Sequence, residues 1–524
     1  MEYFYTGVNK ADVDGFYQFN YSPAGIYRQN NWVATMRCPT TKFWGGEIYS
    51  KTNRFGRYQA HGTLEVMYDG AMENSGFPKK NASLGTKVTG GWDWNVEAGA
   101  TTVHYTSWKE MMPNKNVTDR FDQYSKTTNF AGALAWKDCG MFGAEFDQDD
   151  SWGSLRFVPT NLTFKKSVYA FDGMLISLGS NISASGAYGD DMITATNLFQ
   201  GIDSEVSGDL VVNGETMAAG AEAKTNDSSA DLWMVTPQGT GYFVPQGNDP
   251  IIIKHGEQSS PNETGDNVDD PVTVTAAKAY INHGVKTSGK EYVFVAVPAT
   301  NVTDMAELAA KMANKGGEIF EIKAQNEKLH ALAYKPAKVT AYSIFTAVDG
   351  LNFGRLKSTA SEMLLMEKPG VNDKMLSLAI SNPNLRPQAD NVYGWVATPT
   401  QTSIVLDGEW VLNGDAIDGV TITPQSDKTT KIDLTLTEGE PVYIDLVDKD
   451  AVGITTVDQS EQAHVYTAGH DVFVVNAVGT AMVYDVAGQV IKSVDVDGSA
   501  RFTLDQQGCY IVKISDKTVK VVIR

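Results

Sequence analysis

Asx-Gly dipeptides recur along this 524-residue chain, at Asp69-Gly70, Asp172-Gly173, Asn213-Gly214, Asp349-Gly350, Asp407-Gly408, Asn413-Gly414 and Asp497-Gly498. Asn, Asp and Gly tolerate the positive φ of a tight hairpin turn, so each pair marks a place where paired strands reverse. Segments 31–37, 167–178, 232–244, 292–297 and 431–446 are rich in β-branched and aromatic residues, often alternating with polar ones. That period of two predicts half-buried strands. Many strands joined at short intervals predict stacked antiparallel sheets, and the expected fold class is all-β.

One short helix is expected between Thr303 and Gly316. Thr303 serves as its N-cap, Asp304 complements the positive helix end, and Met305, Leu308, Ala309 and Met312 share a face. Gly316-Gly317 ends it.

The length suits about three or four domains of 100–200 residues, each with its own core. Residues 256–270 (GEQSSPNETGDNVDD) are polar and acidic and read as a long exposed loop or linker. The pattern resets near 450–463, and the last roughly 60 residues read as a compact β unit. Its short strands are expected at 472–476, 480–484, 490–494, 510–514 and 519–523. The expected domains are 1–340, 341–455 and 463–524.

Charge excludes some partners. With 43 Lys+Arg against 63 Asp+Glu the formal net charge is −20, which disfavours nucleic acid. No apolar run approaches the roughly 20 residues of a membrane span. Cys38, Cys139 and Cys509 form no CxxC pair, so neither a zinc site nor a disulfide framework is expected, and small apolar core residues are the plainer reading. Residues 1–5 (MEYFY) carry no basic n-region and no apolar stretch of a signal peptide.

The stretch from Arg28 to His61 departs from this acidic background. Arg28, Arg37, Lys42, Lys51, Arg54 and Arg57 face a single acid, Glu47. Trp32, Phe43, Trp44, Tyr49, Phe55 and Tyr58 are interleaved with them. Aromatic faces stack on sugar rings, and guanidinium forks match carboxylates and sulfates. The combination points to a ligand that is both saccharide and acidic; a basic edge strand with ordinary core aromatics fits the composition equally well. Glu47, flanked by Gly45-Gly46 among cations, is expected to stay ionised and to orient an Arg, His or Tyr across a cleft rather than act as a general acid. Trp92 and Trp94, in GWDWN at 91–95, would point the same way on a strand, as a stacking platform requires, although a core uses the same spacing.

The run WGGEIYSKTNRFGRYQAHG at 44–62 resembles the post-toroid segment of chondroitin sulfate ABC lyases in polysaccharide lyase family 8. The likeness continues through GWDWN at 91–95, GATTVH at 99–104, FKKSVYAFDGMLISLGSN at 164–181, TNLFQ at 196–200 and AYINH at 279–283, spanning roughly residues 12–450. The resemblance implies a large antiparallel super-sandwich, galactose mutarotase-like, over 1–340, followed by smaller β-sandwich domains.

It also implies β-elimination at the uronic acid of chondroitin or dermatan sulfate, with hyaluronan as a further substrate. The C5 proton is removed, the O4-linked neighbour leaves, and a 4,5-unsaturated uronide remains. Such chemistry needs the uronate carboxylate neutralised, a base near C5 and an acid for the leaving oxygen. In the family a Tyr, a His and an Arg of an N-terminal (α/α) toroid supply these, and a β-domain Glu completes the set. By motif position that Glu is Glu47, with Trp44, Arg54, Arg57, His61, Trp92 and Trp94 as substrate-binding candidates. Neither His61 nor His104 takes the toroid histidine's role.

The toroid is missing from this chain, which is expected to be the C-terminal part of a lyase and nearly inactive alone. The alternative is a non-catalytic carbohydrate-binding β-sandwich protein. No cofactor is assigned; family behaviour leaves room for a divalent cation such as calcium in the full-length enzyme, with 147–150 and 265–270 as acidic stretches that solvated loops explain better. Residues 465–524 resemble the C-terminal sorting domain of type IX secretion substrates, through VYDVAGQV at 483–490, FTL at 502–504, GCYIVK at 508–513 and KVVIR at 520–524. That resemblance implies an exported, extracellular or cell-surface protein whose signal peptide is lost by truncation.

Overall fold

The computed structural model of the chain describes residues 14–49, 52–69, 72–79, 88–112, 120–149, 158–186, 188–370, 373–386, 397–453, 464–468, 470–486, 488–514 and 517–523. Strands dominate, and their ladders are antiparallel. Turn chemistry explains the tightest reversals. Asp172 (φ 47°) and Gly173 join strand Leu162–Phe171 to strand Met174–Ala184, and Asn213 (φ 49°) and Gly214 join Leu210–Val212 to Glu215–Met217. The segment 167–178 is therefore the core of a hairpin.

That hairpin lies inside a nine-stranded sheet, between strands Cys139–Asp147 and Lys290–Val297. Both faces of the sheet are covered. Val168 and Ala170 point into a core shared with a four-stranded and a five-stranded sheet. Tyr169 and Phe171 point the other way, into a core shared with a seven-stranded sheet and the helix Val302–Gly316. A sheet buried on both sides has little use for polar alternation, which accounts for the unbroken apolar run 168–171. A third core lies between the seven-stranded sheet and a four-stranded sheet built from Leu356–Thr359, Thr400–Asp407, Thr429–Leu436 and Val420–Pro424. The large antiparallel super-sandwich and the smaller sandwich beyond it are thus present.

Two groups sit in this interior as unusual polar guests. His330 bridges Ser167 Oγ and Ser180 Oγ through its two ring nitrogens, each at 2.8 Å, and burial first and Lys165 second push its pKa down to about 3. Lys166 Nζ donates to Gly99 O at 2.6 Å, and burial lowers its pKa to about 7, against a smaller opposing effect of Cys38.

Several expectations need correction. The helix is capped by Asn301, whose side chain accepts from the Asp304 amide at 3.0 Å, rather than by Thr303. Its helical backbone ends at Met312, because Ala313 is extended and Asn314 and Lys315 are left-handed at φ 62° and 65°. Met305, Ala309 and Met312 are buried as expected, and a second, single-turn helix spans Trp108–Met111. Residues 256–270 are no linker: strand Ile251–Ser260 pairs with Val272–Val285 over ten residue pairs, and 261–271 is its hairpin connection. The boundary expected at 340 falls inside a sheet, since Phe320–Gln325 and Leu329–Tyr334 pair in series with Val339–Ile344.

The chain divides into two compact units, Met1–Lys449 and Asp450–Arg524. The second has its own small core around Val474, Val483, Tyr510 and Val512. Its expected strands 472–476 and 480–484 are one continuous strand, Asp471–Tyr484, bulged between Val475 and Ala477. Asp497-Gly498 lies opposite that bulge inside strand Val490–Thr503 and makes no hairpin. No helix among the described residues is long and apolar enough to cross a membrane.

Candidate functional site

Glu47 lies on the three-residue strand Glu47–Tyr49, which pairs with Arg120–Asp122. Alternation along the strand sends Ile48, fully buried, inward, and puts Glu47 and Tyr49 together on the outer face. Glu47 is half-buried and Tyr49 exposed, and the Tyr49 hydroxyl donates to Glu47 Oε2 at 2.5 Å.

The backbone beneath the carboxylate is held from two sides. Gly45 N donates to Gln123 O at 2.9 Å and Gln123 N to Gly46 O at 2.8 Å, extending the pairing before Glu47. Gly45 is required by contact, because a Cβ there would stand 2.3 Å from the Ala60 Cβ. Asn53 Nδ2 donates to Glu47 O at 2.6 Å, and Asn53 O accepts from Tyr49 N at 3.3 Å. Gly56 makes room for that asparagine, since a Cβ at 56 would lie 2.4 Å from Asn53 Nδ2.

Trp44, three residues before Glu47, is 44% exposed. The exposed Tyr21 meets the neighbouring Phe43 edge-on at 5.9 Å. Sequence reading passed over both Tyr21 and Asn53. Tyr21 lies outside the basic stretch, and Asn53 acts through a hydrogen bond that no spacing rule announces.

The other candidates are interior residues, which corrects the reading of them as substrate contacts. Arg54, Arg57, His61 and Trp94 are each 1% exposed and Trp92 5%, so none presents a face to a polymer. Arg54 points at the hairpin connection 261–271: its amide donates to Glu263 O at 2.9 Å and its Nη1 to Thr264 O at 3.3 Å. Burial lowers its pKa, with Asp266 opposing. The Arg57 guanidinium stacks over Tyr105 at 5.4 Å. His61 packs between Tyr58 and Phe146, and burial first, then Arg57, holds it well below the usual imidazole range, so it is neutral. Residues 91–95 form an irregular turn, not a strand. Trp92 Nε1 donates to Glu97 Oε1 at 3.3 Å, and Trp94, stacked on Phe55, donates to Pro261 O at 3.0 Å.

The basic stretch thus does not form one continuous surface. Arg28 is exposed, Arg37 and Lys42 are half-buried, Arg54 and Arg57 are inside, and Lys51 lies outside the described residues. Trp32, Phe55 and Tyr58 belong to the core. Of the residues that remain at least partly outward, Trp44, Glu47 and Tyr49 fall within six positions of one another.

Among the described residues no three His, Cys, Asp or Glu side chains gather for a metal. Asp266 accepts from Thr264 Oγ1 at 2.8 Å, Asp269 is paired with Lys109, and Asp147 accepts from Thr127 Oγ1 at 2.7 Å, while Asp150 lies outside the described residues.

Residues 14–309, more than half of the chain and including every position of this site, match the polysaccharide lyase family 8 super-sandwich domain. The chain belongs to polysaccharide lyase family 8. It is 26% identical over 398 residues to a chondroitin sulfate ABC endolyase of Proteus vulgaris, covering 76% of this chain and 36% of that enzyme. A chondroitin sulfate ABC exolyase of Bacteroides thetaiotaomicron is 27% identical over 434 residues, covering 79% and 38%. Among solved structures, a chondroitinase AC lyase studied as enzyme–oligosaccharide complexes superposes with TM-score 0.60 at 16% identity, covering 82% of this chain and 54% of that one. A Paenibacillus xanthan lyase gives 0.62 at 15%, covering 98% and 50%. These likenesses concern the fold. The chain spans little more than a third of the length of the curated relatives named here.

Proposed function

We propose that residues 14–449 form the β-side wall of a glycosaminoglycan lyase site, working by β-elimination at a uronic acid of an acidic polysaccharide such as chondroitin or dermatan sulfate. The observation that carries this reading is the outward carboxylate of Glu47, hydrogen-bonded by Tyr49 in the segment matched to the family. A carboxylate fixed by a phenol has a defined direction and can orient a cationic or phenolic partner across a cleft. The proton at C5 and the leaving O4 are handled by groups outside the described residues, supplied by a helical toroid. Trp44 offers its ring to a sugar face.

The test is turnover of chondroitin sulfate, followed by absorbance of the unsaturated uronide, with the toroid portion supplied. Glu47→Gln keeps shape and removes charge. At least about a tenfold loss in kcat with folding intact is expected, and wild-type turnover removes Glu47 from the mechanism.

A second reading, a carbohydrate-binding protein without chemistry, draws on the exposure of Trp44 and Tyr49, which needs no catalytic partner. Glycosaminoglycan binding without turnover, with the toroid supplied, would favour it. We also propose that the unit 464–523 is a secretion sorting domain and the protein exported. Support comes from its sequence resemblance and its separate core.

A further inference from the structure

A cleft of about 630 Å³ lies between a turn of the seven-stranded sheet and two strands of the four-stranded sheet beyond it, lined by none of the residues around Glu47. This size suits a small organic ligand. Its walls are fixed by hydrogen bonds from backbone amides. Asn326 Oδ1 accepts from the amides of Lys328 and Leu329 at 2.9 and 3.2 Å, and Lys328 O accepts from Phe345 N at 3.0 Å. Opposite, Val348 O accepts from Thr359 N and Ser403 O from Ala360 N, each at 2.9 Å. The site is therefore formed before any ligand arrives.

Buried Leu329 and Val348 give the cleft an apolar floor. Ser358 and Ser403 add hydroxyls, while the Thr359 hydroxyl is buried behind them with no hydrogen-bond partner among the described residues. Exposed Lys328 and Asp349 also line it, and neither forms an ion pair among the described residues, although Asp349 Oδ1 accepts from Gly350 N at 2.7 Å. Elsewhere on this surface lysines and carboxylates commonly pair, as Lys286 does with Asp190 and Lys449 with Glu409. An ammonium without an ion-pair partner, a carboxylate held by the neighbouring Gly350 amide with no cation on it, and two serine hydroxyls over an apolar floor match a sugar unit carrying one anionic group. The ammonium takes the carboxylate or sulfate, the aspartate accepts from ring hydroxyls, and the apolar floor meets the C–H face.

We infer that this cleft is a second glycan-holding subsite, which binds an acidic disaccharide unit of the polymer away from Glu47. The inference rests on the reading above for its polymer.

The test is calorimetry of the full chain with a chondroitin tetrasaccharide and with a neutral dextran oligosaccharide, joined to hydrogen exchange. Lys328→Gln/Asp349→Asn changes two exposed side chains, so the fold is preserved, which a thermal melt checks. At least about a fivefold weaker tetrasaccharide affinity is expected in the double variant, with exchange protection over 326–329 and 347–351 in the wild type. Equal affinity with no protection there overturns the inference, as does dextran binding as tight as that of the tetrasaccharide. If Trp44→Ala weakens binding and the double variant does not, the cleft falls while the wall around Glu47 stands. The reverse pattern keeps the cleft and removes the wall. No binding by any form of the chain overturns both.

Discussion

Tyr49 and Glu47 stand two residues apart on one face of a three-residue strand, and the phenol donates to the carboxylate at 2.5 Å. The geometry follows from the period of a strand and from Ile48, whose complete burial fixes which face turns out. A hydrogen bond to a carboxylate is stronger than one between neutral groups, so this one restrains the Glu47 rotamer.

Tyr49→Phe should therefore loosen Glu47 without removing it. With the toroid portion supplied, kcat is expected to fall about three- to tenfold while KM changes less than twofold, the pattern of an interaction that matters at the transition state. An unchanged kcat would make the hydrogen bond incidental.

Gly45→Ala forces a methyl to within 2.3 Å of Ala60 unless the backbone shifts. Overpacking of this kind costs about 1–3 kcal/mol. The shift displaces the pairing of Gly45 and Gly46 with Gln123, so turnover should drop more than the stability loss explains. Denaturant unfolding beside steady-state kinetics separates the two.

Arg54→Met removes a buried cation that ties residue 54 to the connection 261–271. Losing a buried charged donor costs about 1–3 kcal/mol when its acceptor is left without it, here the buried carbonyl of Thr264. Faster hydrogen exchange confined to 261–271 is expected. Wild-type exchange there would show that the loop holds itself.

The buried bases predict how stability responds to pH. His330, at about 3 when folded against an ordinary 6.5, binds its proton more readily in the unfolded chain. Its contribution is present above about 6.5 and is lost as pH falls toward 3. The slope is about 1.4 kcal/mol per unit within that window. Lys166, at about 7 when folded against 10.5, behaves alike at higher pH, with stability rising from about 7 to 10.5. Glu97, raised well above 4.5 by burial and then by Glu65, opposes His330 because its share is lost as pH rises. Comparing variants isolates each group. His330→Asn should flatten the loss between pH 6 and 4, and Lys166→Met should raise the melting temperature at pH 7 and remove the rise above it. Parallel stability–pH curves for variant and wild type would contradict the assignment.

Much of the architecture was legible in the chain because hairpin turns and strand alternation are local. Asp172-Gly173 and Asn213-Gly214 announce their reversals, and Met305, Ala309 and Met312 announce the buried helical face. Glu47 and Trp44 lie outward, where a ligand-binding role would place them, whereas the burial of the residues around them was not legible. Arg54, Arg57, His61, Trp92 and Trp94 lie in polar or glycine-rich sequence, where composition gives no sign of burial. Their surroundings come from residues far along the chain, such as Thr264, Tyr105, Phe146 and Pro261. Asn301 displaced Thr303 as cap because its side chain reaches the Asp304 amide, a distinction among neighbours that sequence alone leaves undecided.

Asn53 and Arg54 are consecutive, yet one grips the strand of Glu47 and the other grips a hairpin tip more than two hundred positions downstream. The two grips share a single peptide unit, so the tip acts as a distant set-screw on the acid. Lengthening or trimming that tip would retune the acid's aim while leaving every group that touches the polymer unaltered.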